Sequence, residues 1–543
     1  MATGIQPEQY LRDIASAVGS SDLLRAHAIA TEALDRGLSH PSFFNARALW
    51  LEEQQRFQEA LLEFGQARAL APLDPDLLNA IGLCQLRLQQ FQDAVESFEA
   101  ALAVRPVHAL TCFRLAWANE MAGAYDAAER AYERAAALQP NLPEALASLA
   151  GILATKGETS RARSTAERAL SVAPGLPSAN LALAIADLSD GAYSAAESRL
   201  RDAVARLNSA ANSRTWARAQ GLLGDALDGQ GRFAEAFAAY AAENEALRAL
   251  YAGQFSQRER PADGVRRLIS WFADASREDW LTEPGGFATP AAEHVFVLGF
   301  MRSGTTLVGQ VLAGHPDVVV LEERDPLQAA AEQFLGSEAG FNSLAGLADT
   351  ELDVLREDYW ERMREFGLEV NGKVVVDKHP LNTLKLPLIA KLFPGAKILF
   401  AMRDPRDVVL SCFRRHFALN PATFAFLQLT EAAEFYDQVM HVAALFRRTL
   451  PLTVREVRYE DVADQFEATV RALCPFIGIE WSETMSDFSA TAGALSIHSP
   501  SAPQLRRGLS QESIGRWRNY EEQMAPILPL LQPWVDRFGY TAG

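Results

Sequence analysis

Residues 295–327 read VFVLGFMRSGTTLVGQVLAGHPDVVVLEERDPL. Val295–Leu298 is a short apolar run that stops at Gly299, as a buried strand of a parallel sheet does. FMRSGTT follows, with Gly304 ahead of two threonines. LVGQVLAG then has helical spacing and ends at Gly314-His315-Pro316, a helix stop. The unit predicts strand, loop and helix, with backbone N–H groups and the positive helix end turned toward an anion. Gly299 and Gly304 have the spacing of the glycines in GxxxxGK followed by Ser or Thr. Thr305 stands where that motif carries lysine, and a cation sits inside the loop instead, as Arg302. A nucleoside-triphosphate enzyme sets the lysine on the outer phosphates and holds a metal with an acid. The loop therefore predicts a phosphate cradle that lacks the triphosphate lysine. An ordinary Gly-Thr turn before a helix is the bland alternative.

Downstream, Val318–Leu321 is an apolar strand ending at Glu322-Glu323-Arg324. Parallel sheets place reactive groups at such carboxyl ends. Residues 341–371 read as a surface helix without chemistry. Lys373–Val376 is a strand that runs into a turn, Asp377-Lys378-His379-Pro380. Lys397–Met402 is another strand, and Asp404-Pro405 opens a helix with proline in its first turn. Arg403 stands at that strand's end and Ser411 eight residues on, a forked donor and a hydroxyl suited to phosphate. Val454–Asp461 reads as strand and turn. Leu505–Tyr520 gathers Arg506, Arg507, Arg516 and Arg518 with Ser513, Gly515 and Trp517.

Together these segments resemble the sulfotransferases that use 3′-phosphoadenosine 5′-phosphosulfate (PAPS), over about residues 293–540. The RSGTT loop and the Glu-Glu pair are most similar to the tyrosylprotein sulfotransferase branch. The resemblance implies transfer of a sulfuryl group to a hydroxyl, with PAPS as cofactor and no metal. It implies that Arg302, Ser303, Gly304, Thr305 and Thr306 hold the 5′-phosphosulfate. Arg403 and Ser411 would read the 3′-phosphate, Tyr459 would lie near the adenine, and the late loop with Ser513 and Arg518 would close over both. Glu323 matches the family's base, since a fixed carboxylate can take the acceptor's proton. Lys378 matches the lysine that balances developing charge. His379 is a rival base, because histidine titrates near neutral pH. The family's Glu-Glu-Thr-Arg is Glu-Glu-Arg-Asp here, which displaces the substrate-contacting arginine and leaves peptide specificity open. Phe413–Leu427, with Arg414, Arg415 and His416 among phenylalanines, is a candidate for the acceptor entrance, although core packing accounts for most of its aromatics.

The first half repeats with a period of 34 residues. Ala26, Ala60, Ala94, Ala128, Ala162 and Ala196 share one register, as do Pro72, Pro106, Pro140 and Pro174. Phe64, Phe98 and Tyr132 each follow their alanine by four, and Ala48, Gly82, Ala116, Ala150 and Ala184 hold a further column. This is the tetratricopeptide pattern of paired helices with small residues at the crossing and an aromatic knob. Gly224, Ala236 and Tyr240 continue it, displaced by six residues, and residues 7–40 read as a degenerate first copy. About seven repeats result. Their groove is expected to bind a protein or peptide partner, or the acceptor itself. A structural spacer or dimerisation arm is the alternative.

The expected fold is an all-α tetratricopeptide solenoid over 1–250 and a helical connector and linker over 251–290. An α/β domain with a parallel sheet and a P-loop-like phosphate-binding loop fills 291–543. Gly285-Gly286 and Pro290 mark the boundary. The net charge of −18 argues against broad nucleic-acid binding or attraction to anionic membranes. Cys84, Cys112, Cys412 and Cys474 are scattered and suggest reduced thiols. Glu8, Arg12 and Asp13 interrupt any apolar leader, and no stretch approaches a membrane span. A cytoplasmic location is expected. Other functions open to the sequence are a small-molecule or glycan sulfotransferase, a P-loop kinase, and a scaffold with an inactive catalytic domain.

Overall fold

The structure, a computed structural model, describes residues 7–207, 214–255, 257–281, 289–487 and 511–540. It divides into two compact units, Met1–Arg206 and Leu207–Gly543. Gly285-Gly286 lies outside the described residues.

Among its described residues the first unit is built from six helix pairs. They are Pro7–Gly19 with Leu23–Asp35, Pro41–Glu53 with Phe57–Leu70, Pro75–Arg87 with Phe91–Val104, Ala109–Met121 with Tyr125–Leu138, Pro143–Lys156 with Thr159–Val172, and Pro177–Ser189 with Tyr193–Leu207. The alanine column lies on the second helix of each pair, and every member is fully buried. A methyl is the largest group that such a close crossing admits. At Gly82 even a methyl is too large, because a Cβ there would lie 2.7 Å from the Phe98 ring. The turn inside each pair is closed by one left-handed residue. These are Ser21, Gln55, Gln89, Gly123, Gly157 and Gly191, with φ between 59° and 84°. They recur at the repeat period, although half of them are not glycine. The prolines fall two residues beyond the second helix, where they cannot interrupt its hydrogen bonds.

The second unit begins with a seventh pair, Arg214–Gly229 and Phe233–Phe255. Gly224 faces Tyr240 there as Gly82 faces Phe98, with a Cβ-to-ring distance of 2.5 Å. This pair therefore has the repeat's internal contacts but clusters with the sheet unit. The next helix, Pro261–Phe272, buries Phe272 completely, edge-on to Phe446 at 4.8 Å and to Phe341 at 5.8 Å. The stretch expected as a connector is thus partly core.

Five strands follow among the described residues: β1 Glu293–Leu298, β2 Val318–Glu322, β3 Val374–Lys378, β4 Lys397–Met402 and β5 Thr453–Arg458. They form one parallel sheet in the order β2-β3-β1-β4-β5. The chain leaves β1 toward β2 and β3 on one side, then crosses to β4 and β5 on the other. Parallel sheets of this kind bind ligands at such a switch, here above the carboxyl end of β1. β3 runs through Lys378, so Asp377 and Lys378 are strand residues and not part of the turn. Tyr459 begins a helix, Tyr459–Asp464, rather than ending a strand.

The segment 341–371 is more than a surface helix. Asp349–Glu365 buries Tyr359 and Trp360. The Tyr359 hydroxyl donates to Asp377 Oδ2 at 3.1 Å and lies 2.8 Å from His294 Nε2. Burial raises the Asp377 carboxyl to about 7 and lowers the His294 imidazole to about 3. Among the described residues no helix is long and apolar enough to cross a membrane, and no group of three His, Cys, Asp or Glu could hold a metal ion. All four cysteines are free and buried.

Candidate active site

The loop after β1 is shaped by three backbone positions. Gly299 passes so close to β4 that a Cβ would sit 2.4 Å from the Ala401 carbonyl oxygen. Arg302 is left-handed at φ 67° and Gly304 at φ 98°. A Cβ on Gly304 would lie 2.9 Å from the Tyr459 ring. The helix Thr305–Ala313 starts at once and has no side-chain cap. Its first amides have no acceptors within the helix, so they are offered to whatever lies above the loop. Ser303, Thr305 and Thr306 are all buried around this point. A left-handed arginine costs about 1 kcal/mol or more, and such strain is typical of ligand clamps.

On one side of the loop stands a lysine with two carboxylates. β2 and β3 pair Glu322 with Lys378, and the Glu323 N–H donates to the Lys378 carbonyl at 2.9 Å. Lys378 Nζ reaches Glu322 Oε2 and Glu323 Oε1, each at 2.6 Å. Gln310, on the loop helix, donates to Glu322 Oε1 at 3.0 Å and so fixes that carboxylate. The Lys378 side chain has no exposure, whereas Glu323 is 43% exposed. Glu323 is also left-handed, at φ 48°. Burial would raise its carboxyl, but Lys378, His379 and Arg302 outweigh burial and hold it below the usual carboxylate range. His379 adjoins the pair. Burial, then Lys385, lowers its imidazole to about 4, and among the described residues its Nδ1 is buried without a hydrogen-bond partner.

On the other side stands a cluster of guanidinium groups. Arg302 Nε donates to Ser411 Oγ at 2.9 Å. Arg403 donates to the carbonyls of Arg302 and Ser513, and its guanidinium lies 4.6 Å from the Tyr459 ring centre. The Tyr459 and Ser513 hydroxyls meet at 3.0 Å. Burial, then Arg415 and Arg403, lowers Arg302 to about 9. Like charges crowded in a dry place favour an anion between them. Among the described residues Arg403 Nε is moreover buried without a hydrogen-bond partner. These two observations fit a phosphate at this point.

Arg302, Ser303, Gly304, Thr305, Thr306, Arg403, Ser411, Tyr459 and Ser513 thus gather beyond the carboxyl ends of the strands, with Glu323, Lys378 and His379 beside them. Arg518 stands apart. It is exposed, and its guanidinium lies over the Trp517 ring at 5.2 Å. Arg506, Arg507 and Gly508 lie outside the described residues. The Phe413–Leu427 aromatics pack into the core: Phe413 stacks on Phe237 at 5.0 Å and Phe424 on Phe255 at 4.9 Å. Asp407 was not foreseen. It accepts from the N–H groups of Gly515 (2.6 Å) and Trp517 (2.9 Å) and so pins the late loop. Only its spacing from Arg403, one helical turn, could have suggested it. Gln310 was likewise missed. It lies on the loop helix one turn beyond Thr306, the single signal available.

A parallel sheet with paired carboxylates, a buried lysine and an arginine cluster at its switch point defines a class of anion-handling α/β domain. Residues 294–483 match the sulfotransferase family, and residues 79–143 match the tetratricopeptide repeat. One chain thus carries a region that matches the tetratricopeptide repeat and a region that matches the sulfotransferase family. Protein-tyrosine sulfotransferase 2 of Gallus gallus is 28% identical over 273 residues, which cover 45% of this chain and 69% of that one. An uncharacterized protein of Aquifex aeolicus (strain VF5) is 26% identical over 285 residues, 48% of this chain but only 37% of that one. A solved tetratricopeptide repeat protein from Parabacteroides merdae aligns with TM-score 0.34 and 18% identity, over 42% of this chain and 92% of that one.

Proposed function

We propose that this chain is a sulfotransferase that moves a sulfuryl group from PAPS to a hydroxyl acceptor. The observation that carries the reading is the pairing of two cationic centres on either side of β1. Lys378 ends β3 and Arg403 follows β4, two strand spacings or roughly 10 Å apart. That spacing suits a nucleotide charged at both its 5′ and 3′ ends better than a compact phosphate chain. Thr305 in place of the triphosphate lysine points the same way, against a kinase.

When bound, the nucleotide would supply an activated sulfuryl group for transfer to the acceptor oxygen, with its 5′-phosphate as the leaving group. The helix amides, Thr305 and Thr306 hold the 5′ end in line. Arg403, Ser411 and the Ser513 loop hold the 3′ end. Glu323, ionised throughout the neutral range, takes the acceptor's proton on its carboxylate. Protonation weakens its bond to Lys378, which frees one Nζ donor for the negative charge gathering on the phosphate oxygen. Glu322, fixed by Gln310, keeps Lys378 in place through the exchange. His379, neutral at pH 7, stays outside the proton path.

The acceptor is a protein or peptide hydroxyl in this reading, and the repeat unit binds that protein or another partner. Val107, Leu110 and Trp117 are exposed on that unit and offer apolar contacts for a partner. A small alcohol or glycan is the second reading, and one contact favours it. Where the tyrosylprotein branch carries arginine, Asp325 stands here and pairs with Lys385. Incubating the full chain with radiolabelled PAPS, a tyrosine-bearing peptide set and simple alcohols tests both. Label in the peptides supports the first reading and label in the alcohols the second. Label in neither, with PAPS intact, rejects the activity.

A further inference from the structure

The last helix pair meets the candidate cofactor site through a buried carboxylate. Asp228, near the end of the helix Arg214–Gly229, has a side chain only 6% exposed. It accepts from Arg414 Nη2 at 2.8 Å, from Arg516, and from the Tyr520 hydroxyl. These three donors come from two different parts of the cofactor site. Arg414 ends the helix Pro405–Arg414, one turn beyond Ser411. Arg516 and Tyr520 belong to the short turn Arg516–Tyr520, which follows Ser513 and is pinned by Asp407.

The surroundings make Asp228 hard to replace. Tyr240 and Tyr520 flank the Arg414 guanidinium, their ring centres 5.0 and 5.1 Å away. Arg414 also donates to the Tyr240 hydroxyl at 3.1 Å. Asn244 Nδ2 donates to the Phe413 carbonyl at 2.9 Å, and Phe237 stacks on Phe413. Burial opposes the charge on Asp228, but Arg414 and Arg516 outweigh it and hold its carboxyl below the usual range. A carboxylate in such a place is costly unless its partners stay. The network therefore ties the position of the Ser411 helix to that of the Ser513 loop.

We infer that Asp228 is a positioning residue for the 3′ end of the nucleotide. The seventh helix pair, which has the repeat's internal pattern, is then part of the cofactor pocket's frame rather than a partner-binding repeat. This rests on the PAPS reading above. Asp228 itself touches no nucleotide. It sets the distance between Ser411 and the late loop, and so the fit around a 3′-phosphate. Thr305, Thr306 and the first amides of the 5′ cradle lie on the loop helix after β1, outside this network.

The test is calorimetric titration of the full-length chain with adenosine 3′,5′-bisphosphate and with adenosine 5′-monophosphate. Wild type, Asp228→Asn and Arg516→Gln are compared. Arg516 is 30% exposed, so its variant removes one of the two loop donors and leaves Tyr520 and the Asp228–Arg414 pair in place should the Asp228 variant not fold. The expected result is a loss of preference for the bisphosphate of about tenfold in each variant, within the usual range of coupling between sites. Affinity for the monophosphate stays within about twofold, a split that general loosening of the fold would not produce. If wild type discriminates and the folded variants discriminate equally, the role of Asp228 is overturned and the PAPS reading stands. If wild type itself does not discriminate, the PAPS reading falls and takes this inference with it.

Discussion

Lys378 holds two carboxylates with one ammonium group, and the account of catalysis turns on that inequality. Glu322 has a second donor in Gln310, whereas Glu323 is the more exposed partner and the freer to accept a proton. Glu323→Gln keeps the shape and removes the base. Turnover should fall by about 10²–10⁴, the usual contribution of general base catalysis, with nucleotide affinity unchanged. Single-turnover transfer beside equilibrium binding checks this, and unchanged turnover would reject the role. His379 yields a prediction of opposite kind. Its imidazole is lowered to about 4 in the fold and titrates near 6.5 when unfolded. The unfolded chain therefore binds the proton first as pH falls. The stability this residue contributes is complete above pH 6.5 and is lost between 6.5 and about 4. His379→Gln should flatten the dependence of Tm on pH over that window, and an unchanged slope would contradict the assignment. Glu323 and Lys378 were legible in the sequence because each follows an apolar strand run and stands in a family motif. Asp407 and Gln310 were not. A lone aspartate or glutamine on a helix has no local signature, and their work appears only once the late loop and β2 are in place.

At the scale of elements, the loop after β1 and the turns of the repeat obey one rule, that left-handed backbone excludes or penalises a side chain. Gly304 has φ 98° with the Tyr459 ring 2.9 Å from where a Cβ would lie. Gly304→Ala should weaken nucleotide binding or lower stability by about 1–3 kcal/mol, through strain and displacement of Tyr459. Wild-type Tm and affinity in this variant would show that the cradle does not depend on that contact. The repeat turns offer the reverse case. Gln89 sits at φ 60° where three equivalent turns carry glycine. Gln89→Gly should stabilise the repeat unit by up to about 1 kcal/mol, since relief of the left-handed strain exceeds glycine's added chain entropy. Denaturant titration reads the sign, and a lower midpoint would contradict it. The helices and strands were legible from apolar spacing and from the alanine and aromatic columns. The extension of β3 through Lys378 was not, because Asp377 and Lys378 look like turn residues until Tyr359 and Asn382 satisfy Asp377 inside the core.

At the scale of the whole molecule, the two units have separate cores, and unfolding is expected in more than one step. Adenosine 3′,5′-bisphosphate should raise the midpoint of the sheet unit alone, by about 2.7 kcal/mol of added stability at a hundred times Kd. Scanning calorimetry that finds both steps shifted equally would mean the ligand is not confined to that unit. The presence of a repeat array and of a parallel sheet was plain in the sequence. Where the chain divides was not. Gly224, Ala236 and Tyr240 continue the repeat columns, so the seventh pair reads as one more copy. Its membership in the sheet unit comes from Phe237, Asn244 and Asp228, whose partners lie about 170 to 290 positions further along the chain. No local pattern encodes such contacts. The central claim is that one crevice reads phosphates at both ends of a single adenosine nucleotide. Its most direct test is the binding of adenosine 3′,5′-bisphosphate and adenosine 5′-monophosphate to the unmodified chain, measured side by side. The account predicts that the bisphosphate binds at least about tenfold tighter, since charge-assisted hydrogen bonds to the second phosphate contribute about 1.5–3 kcal/mol. Equal affinity for the two nucleotides would contradict it.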